Sequence, residues 1–474
     1  MSSWSQLKRL GLLYLVMGIV TATTLAAALG AQLLAGAQDN VLRPNAICSI
    51  HLVLVAILLA LYFYHAHRPR TVYLVDYACF RPSHNCRYPK ATFLEHTHLS
   101  PLLSDSTVSF IDRILERSGM SDETCAPPAL LYVQPCCREY EARAEAESIV
   151  FSVVDDLLAK TCINVDAISV LITNCTVFSP VPSISDMIVN RYKLQGDLRV
   201  MNLSGMGCCT ALTAVGLARN ILQSMPRGSH ALVVSTETII PLYYAGNNLS
   251  MQLVNILFRM GGTAMLLSTS SSEARFQLMN VTRITIATNN SAYRCVYQEE
   301  DEKGNLGVSL SKDLMAIAGD ALKANIKASG PFVLPVSLQL VKFLLFSVAN
   351  KVLGLKRMRP YIPNFNAAFE HFCIHVGGPA VLRSVQHGLN LSNKDVEPSQ
   401  MTLHRFGNQS SASVWYELAY IEAKGRMEKG NRIWMIGFGA GYECTTVGWV
   451  CVQPSSGTDG PWARCISRYP VVVS

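Results

Sequence analysis

The sequence predicts an α/β protein made of two similar halves that follow a pair of apolar N-terminal segments. Short apolar runs alternate with longer amphipathic stretches over most of the 474 residues, which is typical of alternating strands and helices. The same order of elements recurs later in the chain and indicates an internal duplication. Near the N-terminus, residues 10–35 carry no charge and residues 46–64 are almost continuously apolar.

Each of these N-terminal segments is long enough to cross a bilayer. Lys8 and Arg9 precede the first, Arg68 and Arg70 follow the second, and the short loop between them carries one acid and one base. The positive-inside rule therefore places both flanks in the cytosol. We expect residues 1–69 to form a transmembrane helical hairpin. A cleaved signal peptide is the alternative for the first segment, but that segment is longer than a usual signal-peptide core and lacks a clear cleavage site.

The first α/β half is predicted to span residues 70–310. Its apolar runs predict buried strands, and the stretch 139–160 predicts a helix because its apolar side chains fall on one face. A second helix is expected from residue 185, and a third after residue 208. The expected strands are 71–75, 167–172, 197–202 and 230–237, with a further apolar stretch at 258–267.

The second half is predicted to span residues 311–453, with a helix from Ser311, apolar runs at 372–375 and 432–439, and a last strand near 446–451. Residues 332–356, at its start, are apolar but contain two lysines, which argues against a third span. An interfacial segment on the bilayer and a helix packed on its own domain are both compatible with this pattern. Residues 454–474 are rich in Ser, Gly and Pro, and are expected to form a loose tail.

Composition narrows the classes of partner. The net charge is +7 and only 15% of residues are charged, with no long Lys/Arg tract and no zinc-finger spacing. We therefore expect anionic small molecules or a membrane surface as partners, and no nucleic acid. The 15 cysteines are scattered through apolar runs, a pattern that favours reduced thiols over a disulfide scaffold.

The stretch 202–211 is the strongest candidate for a catalytic element. It is a turn containing Gly205 and Gly207 that follows a predicted strand and places Cys208 at the start of a helix. The free N–H groups and the helix dipole there are expected to favour the thiolate. A buried structural cysteine is the alternative for this feature taken alone.

Two later motifs favour the catalytic interpretation. His375 lies in Phe-Cys-Ile-His-Val-Gly-Gly, and Asn408 ends His-Arg-Phe-Gly-Asn. A thiol nucleophile, a proton-bearing imidazole and an amide donor on separate loops form a set suited to thioester chemistry. We therefore predict Cys208, His375 and Asn408 as the catalytic residues. Cys209 is expected to be structural, because its side chain points about 100° away from that of Cys208.

Several long stretches resemble plant 3-ketoacyl-CoA synthases, the membrane-bound condensing enzymes of very-long-chain fatty acid elongation. The resemblance extends from Arg70 to Cys451 and includes the paired N-terminal segments. Its most specific stretches are 179–190, 202–208, 293–301, 311–319, 369–375 and 402–426.

This resemblance implies a thiolase-like fold of two βαβαβαββ halves in five αβαβα layers, related to the FAE1 and type III polyketide synthase proteins. It implies that Cys208 accepts the acyl group and that His375 and Asn408 are its partners. His371 and His404 match further histidines of the family and are expected to support the site. The glycines Gly437, Gly439 and Gly441 are expected to help hold an oxyanion through nearby backbone N–H groups.

The implied reaction condenses a long-chain acyl-CoA with malonyl-CoA, and gives a 3-ketoacyl-CoA, CO2 and CoA. His375 Nε2 and the Asn408 amide are expected to stabilise the enolate left by decarboxylation. The CoA thioesters are substrates, so this chemistry needs neither a cofactor nor a metal. The resemblance also implies a homodimer in the endoplasmic reticulum membrane, in contact with membrane lipid, with its catalytic domain facing the cytosol and with the elongase reductases and dehydratase as partners.

One departure from the family pattern opens an alternative. The family has His where this chain has Thr285, and Lys where it has Ile286. If that histidine supports catalysis, the chain is an impaired paralogue that acts as a scaffold or modifier of an elongase complex. A soluble type III polyketide synthase is a third possibility, which the N-terminal segments disfavour.

Overall fold

The described strands form one nine-stranded mixed sheet and a separate two-stranded hairpin. The structure is a computed structural model, and it describes residues 69–333, 365–455 and 459–472, together with Val55 and Leu59. The strands are β1 (Tyr73–Cys79), β2 (Ile168–Asn174), β3 (Arg199–Leu203), β4 (His230–Glu237), β5 (Gly261–Ser268), β6 (Phe276–Thr285), β7 (Val296–Glu300), β8 (Leu306–Leu310), β9 (His371–Ile374), β10 (Arg432–Gly439) and β11 (Glu443–Cys451). The hairpin pairs β7 with β8.

The helices in the described part of the chain connect these strands. They are α1 (Lys90–His98), α2 (Asp105–Glu116), α3 (Glu139–Thr161), α4 (Ile184–Tyr192), α5 (Thr210–Ser224), α6 (Leu249–Leu257), α7 (Asn290–Tyr293), α8 (Leu314–Val333), α9 (Pro379–Leu389), α10 (Asn393–Phe406) and α11 (Ser413–Ala423). Side-chain caps fix where several of them begin. Ser183 and Asp186 form a reciprocal capping box at α4, and Ser392 and Asp395 form another at α10.

The order of strands in the nine-stranded sheet shows the internal duplication. The order is β3-β2-β4-β5-β1-β6-β11-β10-β9. In the first half β2 pairs in parallel with β3 and β4, and β5 runs antiparallel between β4 and β1. In the second half β9 is parallel to β10, and β11 runs antiparallel between β10 and β6. The order β2-β4-β5-β1 therefore recurs, with the same directions, as β9-β10-β11-β6.

This pairing corrects the predicted border between the halves. The predicted border lies at 310/311, but β6 pairs along its length with β11 and meets β1 through only two residue pairs. Phe276–Thr285 is therefore the first strand of the second half. Sequence alternation alone could not assign this strand, because the choice depends on which distant strand it pairs with.

Two buried helices lie between the halves of the sheet. Helix α5 contacts β2 and β4 of the first half and β10 and β11 of the second, while α11 contacts β1, β5, β9 and β10. Helix α3 covers the outer face of β1, β4 and β5, and α8 covers β6 and β11. The predicted five-layer αβαβα arrangement is therefore confirmed. The layer between the two halves of the sheet is apolar, with Ala214, Val215, Ala218, Trp415 and Ile421 fully buried.

The C-terminal residues are packed, which corrects the prediction of a loose tail. Trp462 is fully buried, donates its indole N–H to the Tyr416 carbonyl at 2.8 Å, and lies edge-on to Phe406, Tyr420 and Tyr469. The Ser-, Gly- and Pro-rich composition of this region concealed one large aromatic anchor. A fully buried aromatic side chain contributes a large apolar contact area, which anchors the segment around it.

The predicted membrane segments lie almost entirely outside the described residues. Across the described residues, no helix combines the length and the hydropathy needed to span a bilayer. The predicted spans 10–35 and 46–64 lie outside those residues, apart from Val55 and Leu59, and most of segment 332–356 lies outside them as well.

Candidate active site

Cys208 lies in a tight turn between β3 and α5, as the sequence predicts. Residues 207–209 form a single 3₁₀ turn that leads directly into α5 at Thr210. Gly205 and Gly207 have φ values of +72° and +74°, a region that residues with a Cβ rarely adopt. The two glycines therefore allow the chain to reverse sharply and present Cys208 at the start of the helix.

The end of β10 packs directly against this turn. The Ala440 N–H donates to the Met206 carbonyl at 3.0 Å. A Cβ on Gly439 would lie 2.4 Å from the Met206 oxygen and from Cys209 Sγ, and a Cβ on Gly207 would lie 2.5 Å from Ala440 N. Close approach of two backbones thus explains both glycines. The Ala440 N–H is already used in this contact, so any oxyanion donor in this loop must be another backbone N–H.

Positions 437 and 441, on either side of Gly439, require glycine for two different local reasons. A Cβ on Gly437 would lie 3.1 Å from Cys209 Cα, so this position also keeps β10 close to the nucleophile turn. Gly441 has φ +70°, which the tight turn between β10 and β11 requires. Cys209 itself is fully buried, with its sulfur 3.8 Å from Glu443 Oε2, in agreement with a structural role.

Ser410 joins the three predicted catalytic residues. Its hydroxyl lies 3.4 Å from Cys208 Sγ. Its backbone N–H donates to Asn408 Oδ1 at 2.8 Å, and its backbone lies near enough to His375 to influence the pKa of that imidazole. Ser410 is buried and has φ +53°. A buried residue in this unusual conformation indicates a loop whose geometry is fixed by its contacts.

Asn408 is held on both sides of its peptide unit. Its N–H donates to the Leu257 carbonyl at 3.0 Å, and its carbonyl accepts from Arg259 N at 2.9 Å. The side chain is buried, and its amide nitrogen makes no hydrogen bond to any residue in the described part of the chain. The side-chain N–H groups are therefore available to an oxygen atom of a substrate.

His375 follows directly after β9 and is also buried. Its N–H continues the pairing with β10 by donating to the Ile436 carbonyl at 2.9 Å. Burial lowers the pKa of His375 to about 4, although the nearby backbone of Ser410 opposes this shift. Nδ1 has no hydrogen-bond partner among the described residues. The imidazole is therefore neutral at pH 7 and can accept a proton.

Glu237, at the end of β4, completes the group of buried polar residues. Its carboxylate accepts from the Ser410 hydroxyl at 3.0 Å and from the N–H groups of Thr176 and Val177 at 3.0 and 3.2 Å. The Ser410 hydroxyl has one hydrogen, so it donates either to Glu237 or to the Cys208 sulfur. When Cys208 is a thiol, the Ser410 hydroxyl can donate to Glu237. When Cys208 is a thiolate, the same hydroxyl can donate to the sulfur and stabilise its negative charge.

The electrostatics correct one expectation. We expected the start of the helix to favour the thiolate, but burial raises the pKa of Cys208 to about 12, and the nearby Glu237 carboxylate adds to this shift. The Ser410 hydroxyl opposes it. At pH 7 the Cys208 thiol and the His375 imidazole are therefore both neutral. Cys208 becomes a thiolate only when a base removes the proton from its sulfur.

The two histidines predicted to support the site have their hydrogen-bond partners elsewhere. His371 begins β9, at the opposite end of that strand from His375, and its Nε2 lies 3.1 Å from Asn431 Oδ1. His404 is in the last turn of α10, with Nδ1 3.2 Å from the Tyr469 hydroxyl. Neither histidine forms a hydrogen bond with Cys208, His375 or Asn408 among the described residues.

Thr285 lies at the exposed end of β6. Its hydroxyl accepts a hydrogen bond from the Ala287 N–H at 3.4 Å, and its backbone pairs with Glu443. The neighbouring Arg283 forms an ion pair with Glu443.

No group of three or more His, Cys, Asp or Glu side chains in the described ranges is arranged to hold a metal ion.

Ser410 and Glu237 belong to the candidate site, and the sequence patterns do not reveal them. Each is a common residue type outside any recognisable catalytic motif. Ser410 could have been identified from its position two residues after Asn408 in the same loop. Glu237 could have been identified because an acidic residue at the end of an otherwise apolar strand needs buried hydrogen-bond partners.

Two family models match the chain. The model described as FAE1/Type III polyketide synthase-like protein matches residues 64–352, and the C-terminal model of 3-oxoacyl-[acyl-carrier-protein (ACP)] synthase III matches residues 366–450. The first covers the half that contains Cys208, and the second covers His375 and Asn408. Together they include all the residues of the site described above.

Curated relatives and solved structures agree with these matches. The chain is 49% identical over 414 residues to 3-ketoacyl-CoA synthase 6 of Arabidopsis thaliana, which covers 86% of this chain and 83% of that protein. It is 48% identical over 434 residues to 3-ketoacyl-CoA synthase 4 of the same plant, covering 90% and 82%. The fold matches 1,3,6,8-tetrahydroxynaphthalene synthase from Streptomyces coelicolor, a type III polyketide synthase, with a TM-score of 0.64, 18% identity and coverage of 80% and 99%. The chain therefore belongs to the 3-ketoacyl-CoA synthase branch of the FAE1/type III polyketide synthase-like family.

Proposed function

We propose that the protein condenses a long-chain acyl-CoA with malonyl-CoA to give a 3-ketoacyl-CoA, CO2 and CoA, the first step of very-long-chain fatty acid elongation. The convergence of Cys208, His375 and Asn408 on Ser410 is the observation that carries the proposal. The names of the curated relatives support the same reaction.

The first stage transfers the acyl group to the enzyme. His375 takes the proton of the Cys208 thiol as the sulfur attacks the thioester carbonyl of the acyl-CoA. The Ser410 hydroxyl, 3.4 Å from the sulfur, turns from Glu237 to stabilise the developing thiolate. The C–S bond to CoA breaks, CoA leaves as its thiol with the proton from His375, and the acyl group remains on Cys208 as a thioester.

The second stage forms the new carbon–carbon bond. Malonyl-CoA loses CO2, and the electron pair of the broken bond forms an enolate whose oxygen is stabilised by His375 and the Asn408 amide. The enolate carbon attacks the carbonyl of acyl-Cys208. The Cys208 sulfur then leaves as a thiolate and takes a proton from solvent, and the product is a 3-ketoacyl-CoA two carbons longer than the primer.

The cellular setting belongs to the same proposal. We propose that the protein acts as a homodimer at the endoplasmic reticulum membrane, with its α/β domain in the cytosol, in contact with membrane lipid. The reductases and dehydratase of elongation would consume its product, because a 3-ketoacyl thioester must be reduced, dehydrated and reduced again to give a saturated chain.

Elongation by yeast microsomes tests this function. Microsomes that contain the wild-type chain or Cys208→Ala would be supplied with labelled malonyl-CoA and saturated acyl-CoA primers of increasing length. We expect longer products with the wild type and none above the empty-vector background with Cys208→Ala. A well-expressed wild type without product from any primer would contradict the proposal.

A third variant in the same assay addresses the impaired-paralogue alternative. Thr285 is exposed and its hydroxyl bonds only to Ala287 among the described residues, so we expect Thr285→His to change the yield less than twofold. Product formed by Thr285→His but not by the wild type would instead show that the natural chain is impaired at this position.

A further inference from the structure

An open cavity of about 540 Å³ lies beside the C-terminal segment, away from the candidate active site. This volume falls within the roughly 300–1,000 Å³ of small-molecule sites. Neither Cys208 nor His375, Asn408 or Ser410 lines it. We call it the arginine cavity, because the charged residues of its wall are Arg81, Arg87, Arg405, Arg464, Arg468 and Glu123.

Five arginines face a single carboxylate in this wall. Arg87, Arg405 and Arg468 all lie within 3.5 Å of Glu123, which forms two short hydrogen bonds with Arg468 at 2.7 and 2.9 Å. These guanidinium groups hold the pKa of Glu123 below its usual range, so the carboxylate stays charged. Arg81 is paired as well, because it forms an ion pair at 3.3 Å with Asp156, which lies outside the wall. Two negative charges against five positive charges leave a formal excess of three.

Two of the arginines retain hydrogen-bonding capacity. Arg405 Nε lies 3.1 Å from Glu123 Oε2 but is buried and makes no hydrogen bond with a described residue. Arg464 is exposed to the cavity and has no ion pair or hydrogen bond within the described part of the chain. Arg464 therefore takes no part in the network that holds the C-terminal segment through Glu123 and Arg468.

We infer that the arginine cavity binds a phosphate-bearing anion. Guanidinium groups offer paired N–H donors that match phosphate oxygens, and arginines from separate segments can contact several oxygens at once. Here the donors come from the loop after β1, the end of α10 and the C-terminal segment. The phosphate belongs to a soluble compound or to a lipid headgroup, and the experiment below separates these sources.

A direct binding experiment on the full-length protein in neutral detergent tests this inference. Inorganic pyrophosphate serves as the soluble probe, dihexanoyl phosphatidic acid as the lipid probe, and dihexanoyl phosphatidylcholine as its neutral-headgroup control. Binding would be measured by calorimetry for the wild type and for Arg464→Gln. Arg227→Gln is the matched control, because Arg227 is exposed and lies outside the cavity.

We expect saturable binding of pyrophosphate or phosphatidic acid that weakens about tenfold in Arg464→Gln and less than twofold in Arg227→Gln, since one charge-assisted hydrogen bond is lost only in the first. Tighter binding of phosphatidic acid would identify a lipid source, and tighter binding of pyrophosphate a soluble one. No saturation by either probe at millimolar concentration would overturn the inference. Equal binding by both variants would also overturn it, and Arg81→Gln provides a second variant if Arg464→Gln does not fold.

Discussion

Ser410 Oγ lies 3.4 Å from Cys208 Sγ and 3.0 Å from Glu237 Oε2. One hydroxyl therefore links the nucleophile to a buried acid, while the backbone of the same residue contacts His375 and Asn408. Ser410 thus fixes the relative positions of the site as well as the hydrogen bonding of the sulfur. In the proposed mechanism this hydroxyl is the group that stabilises the developing Cys208 thiolate.

Removing the Ser410 hydroxyl should slow acylation of Cys208. We expect Ser410→Ala to lower the single-turnover rate with an acyl-CoA by about 10- to 100-fold, because a hydrogen bond to a charged group is worth roughly 1.5–3 kcal/mol. Ser410→Gly, which accepts the φ of +53° without strain, should show the same loss. A near-normal rate in the Gly variant would show that backbone geometry, and not the hydroxyl, matters here.

The raised pKa of Cys208 predicts a characteristic pH profile of alkylation. The thiolate reacts with iodoacetamide, and below a pKa of about 12 its fraction rises tenfold per pH unit. We therefore expect the alkylation rate of Cys208, followed on its peptide by mass spectrometry, to rise steadily from pH 7 to pH 10. Cys208→Ala supplies the background. A plateau at or below pH 8 would instead favour a thiolate stabilised by the start of the helix.

The contact between β10 and the nucleophile turn should be intolerant of even one methyl group. A Cβ at Gly439 would lie 2.4 Å from the Met206 oxygen, so we expect Gly439→Ala to cost about 1–3 kcal/mol of unfolding free energy and most of the acylation rate. Gly388→Ala is the matched control, because a Cβ there meets no atom within 4 Å. Thermal unfolding and acylation of both variants measure the difference. Equal effects would count against a special role for the contact.

The C-terminal segment should contribute to stability through Trp462. Trp462→Ala is expected to lower the free energy of unfolding by about 3–5 kcal/mol, the usual cost of removing a fully buried aromatic side chain. Val472→Ala, at a fully exposed position near the same terminus, should change stability by less than about 0.5 kcal/mol. Denaturant unfolding of the two variants makes the comparison. A Trp462 variant as stable as the wild type would mean that the segment is held by other contacts.

The sequence predicted those features that leave a local pattern. The turn around Cys208 was visible because glycines with positive φ and a following apolar stripe are both local signals. The alternation of strands and helices predicted the α/β class, and the resemblance supplied the five layers.

Other features depend on contacts between distant parts of the chain. Ser410 and Glu237 meet only after the loop following α10 reaches the end of β4, and β6 joins the second half only by pairing with β11. Trp462 was masked by its polar neighbours in the sequence. The pKa of Cys208 depends on its burial, which the three-dimensional packing sets.

Single-turnover acylation with a labelled long-chain acyl-CoA, followed by mapping of the labelled peptide, tests directly whether Cys208 is the nucleophile. We expect one acyl group on Cys208 in the wild type and in Cys209→Ala, and none in Cys208→Ala. Cys209 is the matched control because it is the adjacent thiol and is fully buried. Acylation that persists in Cys208→Ala, or a label on Cys209, would contradict the assignment of Cys208 as the nucleophile.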